Sequence, residues 1–319
     1  MKRRVVVLSG GIGGAKLVLG FKQLLGAGEL SVVVNTGDDF THLGLRICPD
    51  IDTTLYTLAG LDHRELGWGR QDESWNVMNA LTQFGGPDWF RLGDRDLALH
   101  LVRTQQLAQG QRLTDVIAEL ARRLSVDARI LPMSDDPVPT VIVTADGEQS
   151  FQEYFVRDRC QPVIRAIRYE GAEQTSITPE VAAALCVPDL AAVVLAPSNP
   201  YLSIGPLLAL PGLRQLLKTV QAPVIAVSPI IGGAAVKGPT AKIMAELGID
   251  CSAAAVAAHY REIVDGFVLD QRDAALAPAI GIPTLVTNTL MLSLDDRIQL
   301  AQQVLACAAD HSRFARLRR

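Results

Sequence analysis

A short apolar run that ends in a glycine-rich turn is the feature that most restricts how this chain can fold. Residues 5–8 read Val-Val-Val-Leu, which is typical of a strand buried on both faces of a parallel sheet. Glycines after such a strand let the backbone approach a ligand, and the next helix presents free N–H groups to a phosphate. A tight strand-to-helix turn without a ligand is the simpler alternative. The turn predicts a phosphate site at Gly10, Gly11, Gly13, Gly14 and Lys16.

Strand and helix patterns alternate along much of the chain. A helix predicted at 16–25 separates the first strand from a second apolar run at 30–35, which makes a βαβ unit and implies a parallel sheet. The second half returns to this rhythm, with strands predicted at 190–195 and 224–227. These patterns predict a Rossmann-like, doubly wound α/β fold with a mainly parallel sheet, and a single catalytic domain over residues 1–319.

Four aspartates follow the second predicted strand in two groups. Asp38 and Asp39 come at the end of that strand, and Asp50 and Asp52 precede a helix predicted to begin near Thr53. Capping of that helix could explain one of the later two carboxylates but not all four. Mg²⁺ usually binds one or two carboxylates together with substrate phosphate oxygens. The four aspartates therefore predict a magnesium site on the rim that carries the glycine turn.

Two stretches interrupt the alternation. Residues 54–125 contain four predicted helices and are expected to form a mostly helical insertion over the rim of the sheet. Predicted strands at 138–144 and 150–156 flank an Asp-Gly pair, which favours a hairpin turn, and 164–169 could add a further strand. We expect this antiparallel hairpin at an edge of the main sheet.

The helical stretch contains an aromatic and charged segment, Trp-Phe-Arg-Leu-Gly-Asp-Arg-Asp at 89–96. One interpretation is a pocket wall for an aromatic, anionic ligand with Arg91 as a donor. The alternative is a solvated turn with mutual salt bridges, each worth little. Trp68, Trp75 and Trp89 are expected in the core, and His100 is interpreted as a packing or surface residue without a function.

A second candidate anion site follows the later strands. Ser198 and Asn199 come after the strand predicted at 190–195, on the rim shared with the glycine turn. Gly232, Gly233 and Lys237 lie between the next strand and a predicted helix. Backbone amides of glycines together with a lysine suit a phosphate.

Composition limits the classes of partner. The formal net charge is −4, so the chain is not expected to bind nucleic acid or an anionic membrane surface. Five scattered cysteines without a Cys-x-x-Cys pair indicate reduced thiols and a cytoplasmic protein. No apolar stretch reaches the ~18 residues that a membrane-crossing helix needs. A homodimer is the default expectation for such an enzyme.

Eight short motifs occur in order and together resemble one known family. They are SGGIGGAK at 9–16, NTGDD at 35–39, PDIDT at 49–53, LGDRD at 92–96, PMSDD at 132–136, PSNP at 197–200, SIGP at 203–206 and SPIIG at 228–232. The ordered set closely resembles the 2-phospho-L-lactate transferase (CofD/FbiA) family of coenzyme F-420 biosynthesis. The resemblance runs from the first strand to at least Asp273.

The resemblance implies a Mg²⁺-dependent transferase. Its donor would be the guanosine diphosphate ester of phospholactate, phosphoenolpyruvate or 3-phosphoglycerate, and its acceptor the deazaflavin Fo. The ribityl hydroxyl of Fo would attack the phosphorus distal to guanosine, and GMP would leave. Phosphoryl transfer of this kind depends on positioning and charge neutralisation more than on covalent catalysis.

The resemblance also implies roles for the candidate residues. Asp52 and Arg91 match positions expected to contact Fo, and Asp50 and Asp52 are the expected catalytic residues. Asp52 is either a metal ligand or the base that takes the ribityl proton. The glycine turn would hold the donor diphosphate, and the guanine nucleotide pocket would contain Ser198, Asn199, Gly232, Gly233 and Lys237.

Two other functions remain open from the sequence. A related family, the YvcK-like proteins, shares the expected fold and consists of non-catalytic regulators that bind nucleotide sugars. Such a binder has no need of four aspartates around one metal. A nicotinamide-dependent oxidoreductase would use an acidic ribose contact near Asp38, but the later loops carry no evident hydride-transfer residues.

Overall fold

A computed structural model describes residues 4–63, 67, 69–236 and 238–310 of the chain. The strands in these ranges are β1 Arg4–Ser9, β2 Leu30–Val34, β3 Phe40–His42, β4 Leu45–Ile47, β5 Arg129–Pro132, β6 Thr140–Thr144, β7 Gly147–Ser150, β8 Ile164–Tyr169, β9 Leu190–Leu195, β10 Val224–Val227, β11 Ile230–Ile231, β12 Ala234–Ala235, β13 Gly266–Asp270 and β14 Thr284–Thr287. The α-helices are α1 Gly11–Leu24, α2 Pro49–Ala59, α3 Asn76–Gln83, α4 Asp94–Ala108, α5 Leu113–Arg123, α6 Pro179–Leu185, α7 Gly205–Ala209, α8 Leu213–Thr219, α9 Thr240–Glu246, α10 Ala253–Tyr260, α11 Ala277–Ile280 and α12 Leu294–Ala309.

Seven strands form the central sheet in the order β14-β13-β10-β9-β1-β2-β5. Every neighbouring pair in this order is parallel. The chain builds from β1 through β2 to β5 and then returns with β9 on the other side of β1, so the strand order reverses between β1 and β9. Open α/β sheets bind ligands in the crevice at such a reversal. The predicted Rossmann-like, doubly wound parallel fold is confirmed.

Alternate residues of the central strands pack into cores on opposite faces of the sheet. Val5 and Val7 contribute to a core with α1, α2, α5 and α12. Val6 and Leu8 contribute to a core with α6, α8 and α10. Because both faces are covered, the central strands are continuous apolar runs rather than alternating ones.

The antiparallel hairpin forms, but in a sheet of its own. β6 pairs with β7 and β8 in a separate three-stranded sheet, whereas we expected the hairpin at an edge of the main sheet. The second strand of the hairpin ends at Ser150, and the predicted strand over 150–156 is largely a short helical segment that includes a π-helical turn at Glu153–Arg157. Phe151, Gln152 and Tyr154 are all buried, a spacing that does not alternate as a strand requires.

The predicted helices of the middle stretch are present as α2, α3, α4 and α5, but they occupy two places. α2 and α5 contribute to the core on one face of the sheet. α3 and α4 pack with the β3–β4 hairpin around a small core of their own, formed by Ile47, Met78, Leu92 and Leu97. In the part of the chain that the structure describes, no helix combines the length and the apolarity that a membrane crossing requires.

Candidate active site

The crevice between β1 and β9 is closed at its base by glycines packed against the β9 loop. Ser198 Oγ donates to Gly10 O at 2.7 Å and accepts from Gly10 N at 3.2 Å. A Cβ on Gly13 would lie 2.6 Å from Pro197 O, and one on Gly14 would lie 2.6 Å from Ser198 Oγ. These glycines therefore let two loops of the protein touch, which is the simpler of the two interpretations of the motif. The glycines at 11, 13 and 14 are part of α1, which begins at Gly11 and not at residue 16.

The N-terminus of α1 holds a carboxylate of the protein itself. Gly11, which has a φ of 64°, donates its N–H to Asp50 Oδ1 at 2.7 Å. Asn35 Nδ2 donates to Asp50 Oδ2 at 2.9 Å. Neither Asp50 nor Asp52 caps α2, because that helix begins at Pro49 with Cys48 as its N-cap. A negative charge at this position is stabilised by the helix dipole, so Asp50 belongs to the site next to the glycine turn.

Asp50 and Asp38 form a buried pair of carboxylates. Burial raises the pKa of Asp50 to about 6. Burial, and next the neighbouring Asp50, raise the pKa of Asp38 well above its usual range. Asp38 Oδ1 is buried and has no hydrogen-bond partner among the described residues. Two close carboxylates in such an environment favour a cation between them.

Asp39 and Asp52, in contrast, each face an arginine. Arg46 Nη2 lies 3.1 Å from Asp39 Oδ2. Arg103 binds Asp52 with both terminal nitrogens: Nη1 lies 3.1 Å from Oδ2, and Nη2 donates to Oδ1. The four aspartates that the sequence grouped together thus divide into two pairs, of which only one lacks a cationic partner within the described residues.

The described residues contain no group of three or more His, Cys, Asp and Glu side chains arranged to hold a metal ion. Mg²⁺ is usually held by one or two carboxylates and completes its shell with water and substrate phosphate. Asp38 and Asp50 fit that requirement, since no ion pair with a cationic side chain is found for either carboxylate among the described residues, and Asp38 Oδ1 also lacks a hydrogen-bond partner there. Asp39 and Asp52 fit it less well, because their charges are already balanced by Arg46 and Arg103.

The second glycine site is also filled by a carboxylate. Gly232 N donates to Asp273 Oδ2 at 2.8 Å, and Gly233 N donates to Asp273 Oδ1 at 3.2 Å. These glycines form the turn of the β11–β12 hairpin. Lys237, which the sequence assigned to the same site, lies outside the described residues. The predicted anion-binding amides are present, and in this structure their partner is Asp273.

Two other predicted binding residues organise loops. Asn199 Oδ1 accepts from the backbone N–H groups of Tyr201 and Leu202 at 2.9 and 3.0 Å, and its Nδ2 donates to Thr240 Oγ1 at 3.0 Å. Lys16 Nζ donates to Met291 O at 3.1 Å, in the loop before α12. Both side chains shape the rim around the crevice.

The contacts of Arg91 include none of the four aspartates among the described residues. Its guanidinium stacks on the ring of Trp75, 4.8 Å from the centroid, and it lines a cavity of about 320 Å³ together with Met78 and Thr82. Trp75 is exposed rather than in the core, and Trp68 lies outside the described residues. No hydrogen bond or ion pair joins Arg91 to Asp52 in the described ranges. Arg91 and Asp52, the two residues predicted to contact Fo, therefore do not touch each other in the structure.

An aromatic cluster lies beside this region. Phe40 and His42 of β3 meet Trp89 and Phe90, with ring centroids 4.8–6.1 Å apart. Phe40, Trp89 and Phe90 are only partly buried. Trp89 and Phe90 of the segment at 89–96 thus belong to an aromatic cluster to which β3 also contributes.

Sequence analysis missed the residues that pair with the aspartates. Asn35, Arg46 and Arg103 were not identified, and His100, which was given no function, lies 3.7 Å from Asp52 Oδ2 through its Nδ1. One signal was available. His100 and Arg103 follow Leu97 at intervals of three residues, so they share the buried face of α4.

Comparison with known proteins decides the family. A family model described as 2-phospho-L-lactate transferase CofD matches residues 5–279. The chain belongs to the CofD family. A curated protein named phosphoenolpyruvate transferase from Streptomyces griseus is 43% identical over 316 residues, which cover 96% of this chain and 99% of that protein. One of the same name from Mycobacterium tuberculosis is 42% identical over 313 residues, which cover 89% and 94% of the two chains.

The fold of this CofD-family transferase also occurs at low sequence identity. A member of the UPF0052 family from Bacillus halodurans, solved at 2.60 Å, superimposes with a TM-score of 0.61 and 16% identity. The match covers 96% of this chain and 99% of that one. At this identity the similarity establishes the shared fold alone.

Proposed function

We propose that this chain transfers a phosphoenolpyruvyl group from its guanosine diphosphate ester to the ribityl hydroxyl of the deazaflavin Fo, with release of GMP. The step belongs to coenzyme F-420 biosynthesis. The observation that carries the proposal is the full-length similarity, at 42–43% identity, to proteins named phosphoenolpyruvate transferase. Those names favour phosphoenolpyruvate over the phospholactate and 3-phosphoglycerate that the sequence left open.

The crevice between β1 and β9 suits the reacting diphosphate. The hydroxyl oxygen of Fo forms a bond to the phosphorus distal to guanosine while the bond from that phosphorus to the GMP oxygen breaks. Such a reaction needs the two substrates aligned and the leaving charge balanced. The N-terminus of α1 directs its helix dipole toward that crevice, while the Gly11 N–H itself is taken by Asp50.

Asp38 and Asp50 are the proposed ligands of Mg²⁺. When bound there, the ion would offset the charge of the diphosphate. Among the described residues, Asp50 accepts hydrogen bonds only from neutral donors, Gly11 N–H and the Asn35 amide. It can therefore take the ribityl proton without breaking an ion pair, which Asp52 cannot do while Arg103 binds both its oxygens.

The substrates extend from this crevice in two directions. The aromatic cluster of Phe40, His42, Trp89 and Phe90, together with Arg91, offers an apolar and cationic surface for the deazaflavin ring. Toward β9 and β10, the guanine nucleotide would lie near Ser198, Asn199, Gly232 and Gly233, and Lys237 is assigned to this pocket from the sequence alone. The enzyme would act in the cytoplasm as a homodimer. None of its five cysteines, all within the described ranges, forms a disulfide.

Purified protein, Fo and Mg²⁺ are incubated in parallel with the three guanylylated acids. We expect GMP and a charged deazaflavin product with the phosphoenolpyruvyl donor, at a kcat/KM at least about tenfold above the other two. Phosphoenolpyruvate differs from phospholactate by two hydrogens and a planar enol carbon, and a fitted pocket separates a difference this small by about that factor. Chelation by EDTA should stop the reaction, and added Mg²⁺ should restore it. The matched control is Arg112→Met, which alters an exposed ion pair with Glu180.

Two results would overturn this assignment. A clear preference for the phospholactate or 3-phosphoglycerate donor would change the acid that is transferred. No product from any donor, with tight binding of a nucleotide sugar instead, would make the protein a regulator rather than a transferase.

A further inference from the structure

A fully buried arginine makes the strongest contact to the acidic turn of α2. Arg103 of α4 has no solvent exposure. Its Nη1 lies 3.1 Å from Asp52 Oδ2, its Nη2 donates to Asp52 Oδ1, and the two residues are 51 positions apart in the chain. A guanidinium in this two-pronged geometry fixes the orientation of a carboxylate as well as its position.

Arg103 is itself held by further contacts. Nη1 donates to Arg46 O at 3.3 Å and lies 3.3 Å from His100 Nδ1. Because Arg46 belongs to β4, the guanidinium joins three elements: α2, α4 and the β3–β4 hairpin. The side chain of Arg46 pairs with Asp39. Asp52 is therefore bound to the Arg103 guanidinium directly, and Asp39 is linked to it through Arg46.

A second contact fastens α2 to α4 one turn further along. Tyr56 OH donates to Asp96 Oδ1 at 2.5 Å, and His100 Nε2 lies 3.3 Å from the same oxygen. Tyr56 is four residues after Asp52, so both contacts lie on one face of α2. The first two turns of α2 are thereby held against α4, one by Asp52 and the next by Tyr56.

The buried ion pair between Arg103 and Asp52 is not expected to add much to the stability of the fold. A buried ion pair carries a desolvation cost that often cancels its Coulombic gain, and an apolar pair of the same volume is commonly as stable. The ion pair matters more for the position of the first turn of α2 than for the stability of the fold. Asp50 lies in the same turn of α2 as Asp52, and Asp50 is the carboxylate bonded to Gly11 at the N-terminus of α1. Whatever fixes Asp52 therefore fixes where the Asp50 carboxylate lies.

We propose that Arg103 is a positioning residue: by holding Asp52, it sets the first turn of α2 so that Asp50 lies at the N-terminus of α1. In this assignment Asp52 acts through the ion pair and does not accept the ribityl proton. The catalytic consequence rests on the proposed function, whereas the structural consequence, the Asp50–Gly11 hydrogen bond, does not.

The structural consequence is measured first, by amide hydrogen exchange on protein labelled with ¹⁵N-glycine. Arg103→Met should speed exchange of the Gly11 amide by about tenfold or more, since its acceptor is displaced. The Gly232 amide is the internal control, because it is also bonded to an aspartate, Asp273, but on another rim. General destabilisation would speed both amides together. Unchanged exchange at Gly11 would overturn the proposal.

The second measurement compares Arg103→Met, Asp52→Asn and the double variant. Each single change leaves a buried polar group without its partner, and we expect kcat to fall about 10²-fold, as for a small displacement of a catalytic group. The double variant removes the same ion pair as each single change, so its kcat should be no lower than that of the weaker single variant, and Asp52→Asn should speed exchange of the Gly11 amide as Arg103→Met does. If Asp52 were the proton acceptor, Asp52→Asn would lower kcat and leave exchange of the Gly11 amide unchanged.

Control variants show whether a change in Gly11 exchange or in kcat comes from loss of the Arg103–Asp52 ion pair. Arg112→Met removes an exposed arginine that binds Glu180 and should change neither measurement. Arg103→Lys keeps the charge and should lie between the wild type and Arg103→Met. If Arg103→Met does not fold, Asp52→Asn and the double variant still decide the question. Inactive wild-type protein with normal Gly11 exchange would contradict the proposed function and leave the positioning role intact.

Discussion

Two glycine turns on the rim of the sheet look alike in sequence and differ in structure. In both, backbone amides are bonded to an aspartate of the chain: Gly11 to Asp50, and Gly232 and Gly233 to Asp273. The first turn opens a helix of 14 residues at the reversal of strand order. The second joins two strands of two residues each.

The surroundings of the two turns explain the difference. At the first turn, a Cβ on Gly10 would lie 2.5 Å from Asp50 Oδ2, and one on Gly13 would lie 2.6 Å from Pro197 O. At the second, a Cβ on Gly233 would meet nothing within 4 Å. The first turn is a tightly packed part of the crevice, whereas the second is an open hairpin held by one carboxylate. Substitutions in the first should therefore cost more.

The largest expected effect is that of Asp50→Asn. Asparagine keeps the shape and one acceptor for Gly11 but removes the charge proposed to hold Mg²⁺ and the group proposed to take the ribityl proton. We expect kcat for GMP release to fall about 10³-fold, in the range for loss of a central electrostatic group. Circular dichroism should show an unchanged fold. Activity within about tenfold of the wild type would remove Asp50 from the mechanism.

Gly13→Ala tests the packing of the first turn. Gly13 does not have a positive φ, so alanine is not strained by its backbone, but its Cβ would press on the Pro197 carbonyl. Overpacking against backbone costs about 1–3 kcal/mol, which urea denaturation measures. The matched control is Gly26→Ala, whose Cβ would meet only the flexible carboxylate of Glu29 at 3.3 Å. Equal stability of the two variants would contradict the claim of tight packing.

Much of the architecture could be predicted from the sequence because it depends on local patterns. The apolar runs at β1 and β2, the glycine turn and the helical periods follow from burial on two faces and from backbone geometry. The separate three-stranded sheet could not be predicted, since strand partners are chosen by tertiary packing. The π-helical turn at Glu153–Arg157 breaks both sequence periods and left no usable signal.

The candidate site was predictable in its residue types and not in its pairings. The motifs identified the amides of Gly11 and Gly232 as anion binders, but they could not show that Asp50 and Asp273 occupy them. Likewise, the four aspartates look equivalent in sequence. Their division depends on Arg103, which reaches Asp52 from 51 residues away. Long-range partners of this kind are a property of the packed structure and not of local spacing.

Asp273→Asn tests the second turn and should have a smaller effect than the changes at the first. It weakens two hydrogen bonds to a charged acceptor, each worth about 1.5–3 kcal/mol at most. Asparagine can still accept one of them. We expect faster exchange of the Gly232 and Gly233 amides and a KM for the guanylylated donor about 5–10-fold higher, with kcat within about threefold. A fall in kcat comparable to that of Asp50→Asn would show that the two turns are equivalent after all.

Gly233→Ala should have the smallest effect and completes the contrast with Gly13→Ala. Gly233 has a φ of 73°, which an alanine adopts with strain, but the space around it is open. The expected cost is about 1 kcal/mol from the left-handed backbone alone. Because the hairpin can relax into solvent, kcat should not change, and urea denaturation should show a smaller loss than for Gly13→Ala. A larger loss at Gly233 would mean that backbone strain, and not contact with a second loop, is what demands glycine on this rim.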